Sequence, residues 1–247
     1  MIICLEPGGD RREAERLADR LNVSLCESDQ PVPSGLTLRF HSGGLSLLEE
    51  GLEMQGDLTY MIPRIKKANL DREYLVRAAR LKNLPEHPLA VDATAGMGED
   101  SLLLAAAGYR VILYECNPVI AALLRDSLRR ADDVAELREI VHRMELREED
   151  SIEAMGMPDI SPDLVLLDPM FPERKKSALI KKKFQLLHRL ESPCRDEERL
   201  LEAAIQAAPR RLVVKRPLKG PYLAGKKPDF SIKGKAIRYD CFTIRKG

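Results

Sequence analysis

Tryptophan is absent from this chain, and aromatic residues occupy only 4% of its 247 positions. Any stacking contact with a flat ligand therefore rests on very few rings. Cysteine and histidine are equally thin. The five cysteines, Cys4, Cys26, Cys116, Cys194 and Cys241, are odd in number and scattered, with no Cys-x-x-Cys pair, which argues against both a disulfide framework and a zinc site. The four histidines, His41, His87, His142 and His188, are isolated, so a metal centre would need ligands gathered from far apart. No apolar run approaches the roughly 20 residues of a membrane span, and Met1 to Asp10 lacks a basic segment followed by a long apolar stretch. These absences predict a cytoplasmic protein with no metal and no membrane partner. The remainder, 44% hydrophobic and 32% charged, suits a globular chain of one large domain or a core domain with a small appendage.

A net charge of +1 hides a segregation of signs. Residues 132–159 carry ten acidic side chains against three Arg, whereas residues 210–247 carry twelve Lys or Arg against Asp229 and Asp240. A second basic cluster comprises Arg174, Lys175, Lys176, Lys181, Lys182 and Lys183. Clusters of this kind suit a polyanion, although charge runs by themselves are more often solvated surface.

Residues 1–60 read as a small α+β lobe without a catalytic pattern. Met1 to Leu5 is a strand candidate, Arg11 to Leu21 has helical spacing, and Leu36 to Phe40 and Leu45 to Leu48 flank the turn Ser42-Gly43-Gly44. Residues 61–247 form the second predicted unit. It opens with a helix over Asp71 to Leu81, closed by Pro85 and Pro88, and then alternates strand and helix. Strands are expected at Leu89 to Ala93, Arg110 to Glu115, His142 to Leu146, Leu164 to Asp168 and Leu212 to Lys215. Helices are expected at Asp100 to Ala107, Val119 to Arg130, Ile152 to Met155, Ser177 to Leu190 and Glu197 to Ala208. The pattern is a doubly wound α/β sheet. Its final pair, Phe230 to Ile232 and Ile237 to Ile244, reads as an antiparallel hairpin, the Rossmann-like topology of class I methyltransferases.

The chemistry concentrates at strand ends. Val91-Asp92-Ala93-Thr94-Ala95-Gly96-Met97-Gly98-Glu99-Asp100 runs from strand through a Gly-rich turn into helix. A dinucleotide turn would carry a third Gly where Ser101 stands, and carboxylates at Asp92, Glu99 and Asp100 would repel a pyrophosphate. S-adenosylmethionine has no phosphate, and its sulfonium and ammonium suit an acidic surround with Gly96 open to close approach. Glu115, 17 residues after Gly98, ends the next strand, where a carboxylate accepts ribose hydroxyls; a helix-dipole partner for the helix beginning near Pro118 is its plainer role. Asp150-Ser151 stands where an adenine amino group needs an acceptor, and is equally an N-cap.

Leu166-Leu167-Asp168-Pro169-Met170-Phe171-Pro172 discriminates among reactions. An exocyclic base amine has its lone pair delocalised into the ring, so acceptors must hold its N–H groups and aim the lone pair. Asp168 and the Pro169 carbonyl are candidates for that task, and Phe171 for stacking on an extruded base. A rigid strand-ending turn with a buried Phe is the alternative. No His or Cys is placed as a general base, so catalysis is positional, and the departing proton leaves to Asp168 or water.

Asp-Ala-Thr-Ala-Gly-Met-Gly-Glu-Asp at 92–100, Tyr-Glu-Cys-Asn-Pro-Val-Ile-Ala-Ala-Leu-Leu at 114–124, the Asp168 to Pro172 turn with Lys175-Lys176-Ser177-Ala178-Leu179, and Val213-Val214-Lys215-Arg216-Pro217 together resemble the ribosomal RNA small subunit methyltransferase J family. The resemblance spans about residues 88–240. It implies S-adenosylmethionine as donor, S-adenosylhomocysteine as product, and guanine N2 of small-subunit (16S) ribosomal RNA as acceptor. It implies cofactor contacts at Glu99, Asp100, Glu115, Cys116, Asp150, Ser151 and Asp168. The basic residues Lys175, Lys176, Lys181, Lys182, Lys183, Lys215 and Arg216 then become an expected RNA track into a site open to ribosomal RNA or the small subunit. The chain departs from the family pattern at Ile65 to Asp71, where a Gly-rich basic segment is usual, and at Glu99, often Arg. An N-methyltransferase for adenine in DNA or for a protein amide, a non-catalytic RNA-binding protein of the same fold and, more remotely, a nicotinamide dehydrogenase are the competing readings.

Overall fold

The structure, a computed structural model, describes residues 1–27, 35–157, 160–169, 186, 190 and 196–244. The N-terminal residues build a five-stranded sheet in the order β2-β1-β3-β4-β5. Its strands are β1 (Ile2–Leu5), β2 (Leu25–Glu27), β3 (Thr37–His41), β4 (Gly44–Glu49) and β5 (Leu52–Gln55). Helix α1 (Arg11–Leu21) connects the parallel pair β1 and β2. Asp10 starts α1 by accepting from the Glu13 N–H at 3.0 Å, and Asn22 stops it in the left-handed region at φ 51°. Strands β2 and β5 carry little periodic signal in three or four residues, and the sequence reading has neither.

Three short helices follow, α2 (Ile62–Ile65), α3 (Lys67–Leu70) and α4 (Tyr74–Ala79). The expected helix over Asp71 to Leu81 is thus trimmed to its buried centre, Leu75, Val76, Ala78 and Ala79. The second sheet has seven strands in the order β11-β12-β10-β9-β6-β7-β8. They are β6 (Leu89–Asp92), β7 (Arg110–Tyr114), β8 (Met144–Arg147), β9 (Leu164–Leu167), β10 (Arg211–Pro217), β11 (Phe230–Lys233) and β12 (Ile237–Thr243). The five from β8 to β10 are parallel, while β12 returns antiparallel to β10 and pairs with β11. The intervening helices are α5 (Glu99–Ala106), α6 (Pro118–Asp132), α7 (Ala135–Val141), α8 (Ser151–Met155) and α9 (Glu197–Gln206). Helix α7, inside the acid-rich stretch, is absent from the sequence reading. The expected helix over Ser177 to Leu190 lies outside the described residues except for Leu186 and Leu190, both helical.

Strand β9, Leu-Val-Leu-Leu, is wholly buried, and successive side chains enter opposite cores. Leu164 and Leu166 join Leu103, Leu113 and Val213 on one face; Val165 and Leu167 join Val91, Leu201 and Val214 on the other. A third core joins Ile3, Leu38 and Leu47 of the small sheet to Val119, Ile120 and Leu123 of α6. Arg130 of α6 also donates to the Gly56 carbonyl and to Asp126. Leu58 already packs in the core of the large sheet. Among the described residues no helix is long and apolar enough to cross a membrane.

The chain leaves β6 to build β7 and β8 on one side, then crosses back to build β9 and β10 on the other. The loops after β6 and β9 therefore border the switch point of the sheet, the place where an open α/β sheet offers a ligand crevice at the carboxyl ends of its strands. Asp92, the last residue of β6 and 2% exposed, organises the first of these loops. Its carboxylate accepts from the Ser101 hydroxyl at 2.6 Å and from the Thr94 N–H at 3.1 Å. Burial pushes this carboxyl up to about 7, with Asp100 and Asp168 adding and the two hydrogen bonds opposing. A folded-state value above the unfolded one means the native protein holds a proton that the unfolded chain has released. Stability from this group is therefore lost as pH rises from the ordinary carboxylate range to about 7. Asp92→Asn is expected to be insensitive at this position, so the stability of the parent relative to the variant should fall by about 2 to 3 kcal/mol between pH 5 and pH 8. Denaturant titrations of both proteins at the two pH values check this.

Candidate active site

The turn after β6 is held by backbone bonds before any side chain acts. Ala95 N–H donates to the Tyr114 carbonyl at 3.1 Å, and Gly98 N–H to the Ala95 carbonyl at 2.8 Å. Gly98 sits at φ +78°, and a Cβ there would lie 2.7 Å from Leu124 Cδ1 of α6. Only glycine lets the turn press this closely on the helix. Glu115 stands just past β7, where Oε2 accepts from Gly96 N–H at 3.1 Å and Oε1 from Asn117 N–H at 2.8 Å. Glu99 and Asp100 fill the first turn of α5, where the helix dipole favours negative charge.

The loop after β9 meets this turn directly. Asp168 N–H donates to Thr94 Oγ1 at 2.6 Å, which ties the ends of β6 and β9 together. Asp168 Oδ2 accepts from Lys215 Nζ at 2.8 Å, and the same ammonium donates to Asp100 Oδ2 at 2.7 Å. One cation thus lies between a carboxylate from the Gly-rich turn and one from the Asp-Pro turn. Burial works against the charged Lys215, yet Asp100 and Asp168 outweigh it and hold the ammonium well above its ordinary range. Burial pushes the Asp168 carboxyl up, and Asp100 adds, while the Lys215 charge opposes. Tyr239 of β12 faces the same group, its hydroxyl raised first by burial and then by Asp100. Across the turn, the Glu99 carboxylate acts on the Tyr60 hydroxyl and, after burial, helps to raise it above its ordinary range.

Several expected residues converge here. Gly96, Glu99, Asp100, Glu115, Asp168 and Pro169 occupy the loop ends around the crevice, with the exposed Cys116 next to Glu115. Asp92 lies beneath the turn, facing Ser101 rather than the opening. Asp150 caps α8 by accepting from Ile152 N–H at 2.8 Å, and Ser151 is buried behind it. Phe171, Lys175, Lys176, Lys181, Lys182 and Lys183 lie outside the described residues.

Two expectations for basic residues need correction. Arg216, assigned to an RNA track, is 1% exposed; it donates to the Pro221 carbonyl at 3.0 Å and to Glu197 at 3.2 Å. A guanidinium enclosed in this way cannot reach a phosphate. Lys215 is committed to Asp100 and Asp168 rather than standing as an open cation. The sequence reading sets Lys215 near the mouth of the site, and in the structure it follows the buried Leu212-Val213-Val214 of β10 and reaches the Asp168 turn. Thr94 was also passed over, although a hydroxyl between a strand and a Gly-rich turn is well placed to bridge strand ends.

Comparison with known proteins agrees with this arrangement. Residues 36–244 match a family described as "Putative SAM-dependent methyltransferase". The chain is 39% identical over 242 residues to ribosomal RNA small subunit methyltransferase J of Thioalkalivibrio sulfidiphilus, covering 94% of this chain and 93% of that one. It is 37% identical over 241 residues to the protein of the same name from Coxiella burnetii, covering 94% and 92%. A crystal structure of a SAM-dependent methyltransferase from Neisseria gonorrhoeae superposes with a TM-score of 0.77 at 30% identity, covering 100% of this chain and 97% of that one. The chain belongs to the family of SAM-dependent methyltransferases that includes the ribosomal RNA small subunit methyltransferases J.

Proposed function

We propose that this chain methylates the exocyclic N2 amine of a guanine in small-subunit ribosomal RNA. The observation that carries the reading is the junction of an acidic, phosphate-free Gly turn with the Asp168-Pro169 turn through the Thr94 hydroxyl. The names of the relatives favour ribosomal RNA over DNA or protein as acceptor. Residue chemistry fits S-adenosylmethionine: Glu115 for the ribose hydroxyls, Glu99 and Asp100 for the cationic methionine part, and Gly96 for close approach. Cys116, Asp150 and Ser151 line the adenine side, and Asp92 serves indirectly by holding the turn. When bound, the cofactor supplies an electrophilic methyl group on a sulfonium, whose C–S bond breaks with its electron pair left on sulfur.

The chain's own residues then have to orient a poor nucleophile. Among the described residues no protein donor reaches Asp168 Oδ1, because Lys215 takes Oδ2. Oδ1 and the Pro169 carbonyl accept the two N–H groups and direct the nitrogen lone pair toward the methyl carbon. As the N–C bond forms, one N–H proton passes to Asp168 or to water. Phe171 stacks on the base. Exposed Lys219, Lys226, Lys227, Lys233 and Lys235 take over the RNA role from Lys215 and Arg216, together with Lys175, Lys176, Lys181, Lys182 and Lys183. The small sheet at 1–60 is the appended lobe and 61–247 the catalytic domain. The reaction belongs to the cytoplasm, where ribosomal RNA is found.

Glu115→Ala is expected to weaken S-adenosylmethionine binding by about 1 to 3 kcal/mol through lost charge-assisted hydrogen bonds; titration calorimetry showing parent affinity would remove it from the site. Asp168→Ala should lower the single-turnover rate on small-subunit ribosomal RNA by about 10²- to 10³-fold with RNA affinity little changed. Phe171→Ala should instead weaken capture of the base, by about 1 to 3 kcal/mol. Replacing Lys233 and Lys235 with Ala should make the slope of log affinity against log salt shallower by about 1 to 2, one phosphate per lysine; an unchanged slope assigns that hairpin turn to plain solvated surface.

A further inference from the structure

Two facts about Lys215 go unused when it is counted as a surface charge. It bonds to carboxylates on different loops, Asp100 at 2.7 Å and Asp168 at 2.8 Å, and both bonds end on Oδ2 atoms. Its side chain is 24% exposed, against 17% for Asp100 and 37% for Asp168, so the pair with Asp100 is the more shielded and the pair with Asp168 stays open to the crevice. A carboxylate on a loop end has free rotation about χ1 and χ2 unless something fixes it. Asp168 also lies close to a second carboxylate, and two neighbouring carboxylates without a cation favour sharing a proton. A protonated Asp168 has one fewer acceptor position for an amine N–H.

We propose that Lys215 is the positioning residue of the methyl-transfer site: by clamping Oδ2 of Asp168 and of Asp100 together, it presents Oδ1 of Asp168 to the acceptor amine as a charged oxygen in one orientation. The clamp also fixes the separation between the turn that holds the methyl donor and the turn that holds the acceptor, because Asp100 belongs to the first and Asp168 to the second. Lys215 touches neither reacting atom. It acts through Asp168, and this role rests on the methyltransferase reading above.

The groups whose charge or proximity bears on Asp168 come from five elements, Arg216 acting only at a distance from its enclosure with Glu197. Asp100 of α5 and Asp92 of β6 disfavour its ionisation, Lys215 and Arg216 of β10 favour it, and Tyr239 of β12 and Arg64 of α2 lie around the same cluster. Lys215 is the cation in hydrogen-bond contact, so its removal should raise the pH at which Asp168 loses its proton. Substituting Asp100 should do the opposite, since a like charge goes and the ammonium is left to Asp168 alone.

The test is a ¹³C titration of the aspartate carboxyl groups in cofactor-free protein, with Asp168 assigned by its missing signal in Asp168→Asn. It is run alongside single-turnover methylation of small-subunit ribosomal RNA from pH 5 to 9. Lys215→Met should move the Asp168 midpoint, and the acidic limb of the rate profile, upward by about 1 to 3 pH units. Lys215→Arg should keep both near the parent, and Asp100→Asn should move the midpoint downward. An Asp168 midpoint that is the same in the parent, folded Lys215→Met and Asp100→Asn overturns the proposal, as does an upward shift in Lys215→Arg equal to that in Lys215→Met. Should Lys215→Met not fold, the direction of the Asp100→Asn shift decides. A parent protein that leaves the RNA unmethylated would refute the functional reading, while the carboxyl titration would still judge the clamp.

Discussion

Three carboxylates, Asp92, Asp100 and Asp168, converge at the ends of β6, α5 and β9, and their mutual repulsion is the constraint around which the crevice is built. Each is handled by different physics. Asp92 is enclosed and supplied with two donors, which leaves its proton poised near neutrality. Asp100 and Asp168 share one ammonium. Glu115, a fourth acid nearby, is satisfied by backbone N–H groups of its own loop and of the Gly turn. The result is an acidic site without a cluster of unpaired charge, compatible with a cationic ligand and inhospitable to phosphate.

That electrostatic arrangement depends on close packing farther away. The Gly98 turn lies against Leu124 of α6, and the preceding turns of α6 carry Val119, Ile120 and Leu123 into the core of the small sheet. Arg130, near the end of α6, holds the Gly56 carbonyl just past β5. The small sheet therefore packs against the Gly turn both through α6 and through Met97 of the turn itself.

Much of this was readable in the residues, and the failures have physical causes. Strands with a continuous buried apolar run and helices with strong apolar spacing, such as β6, β7, β9 and α6, fall where the sequence pattern places them. The short strands β2 and β5 and helix α7 do not, because their placement comes from tertiary pairing rather than local pattern. At the site, Gly96, Glu99, Asp100, Glu115 and Asp168 are marked by their positions at strand ends. The sequence reading treats Lys215 and Arg216 alike because a count of charges along the chain is blind to the alternation of faces in a strand. That same alternation, applied to β10, separates them.

Lys215 and Arg216 are neighbours in sequence and alike in charge, yet the pleat sends one into the crevice and the other into a closed knot with Glu197 and the Pro221 carbonyl. Glu197 in turn holds the Ala224 N–H at 3.2 Å, so Arg216 fastens the 217–224 loop to helix α9. Loss of Arg216 would therefore loosen that loop, whereas the bonds of Lys215 tie the Asp100 and Asp168 side chains. Two adjacent cations thus enter separate electrostatic circuits, one open to the crevice and one closed inside the scaffold.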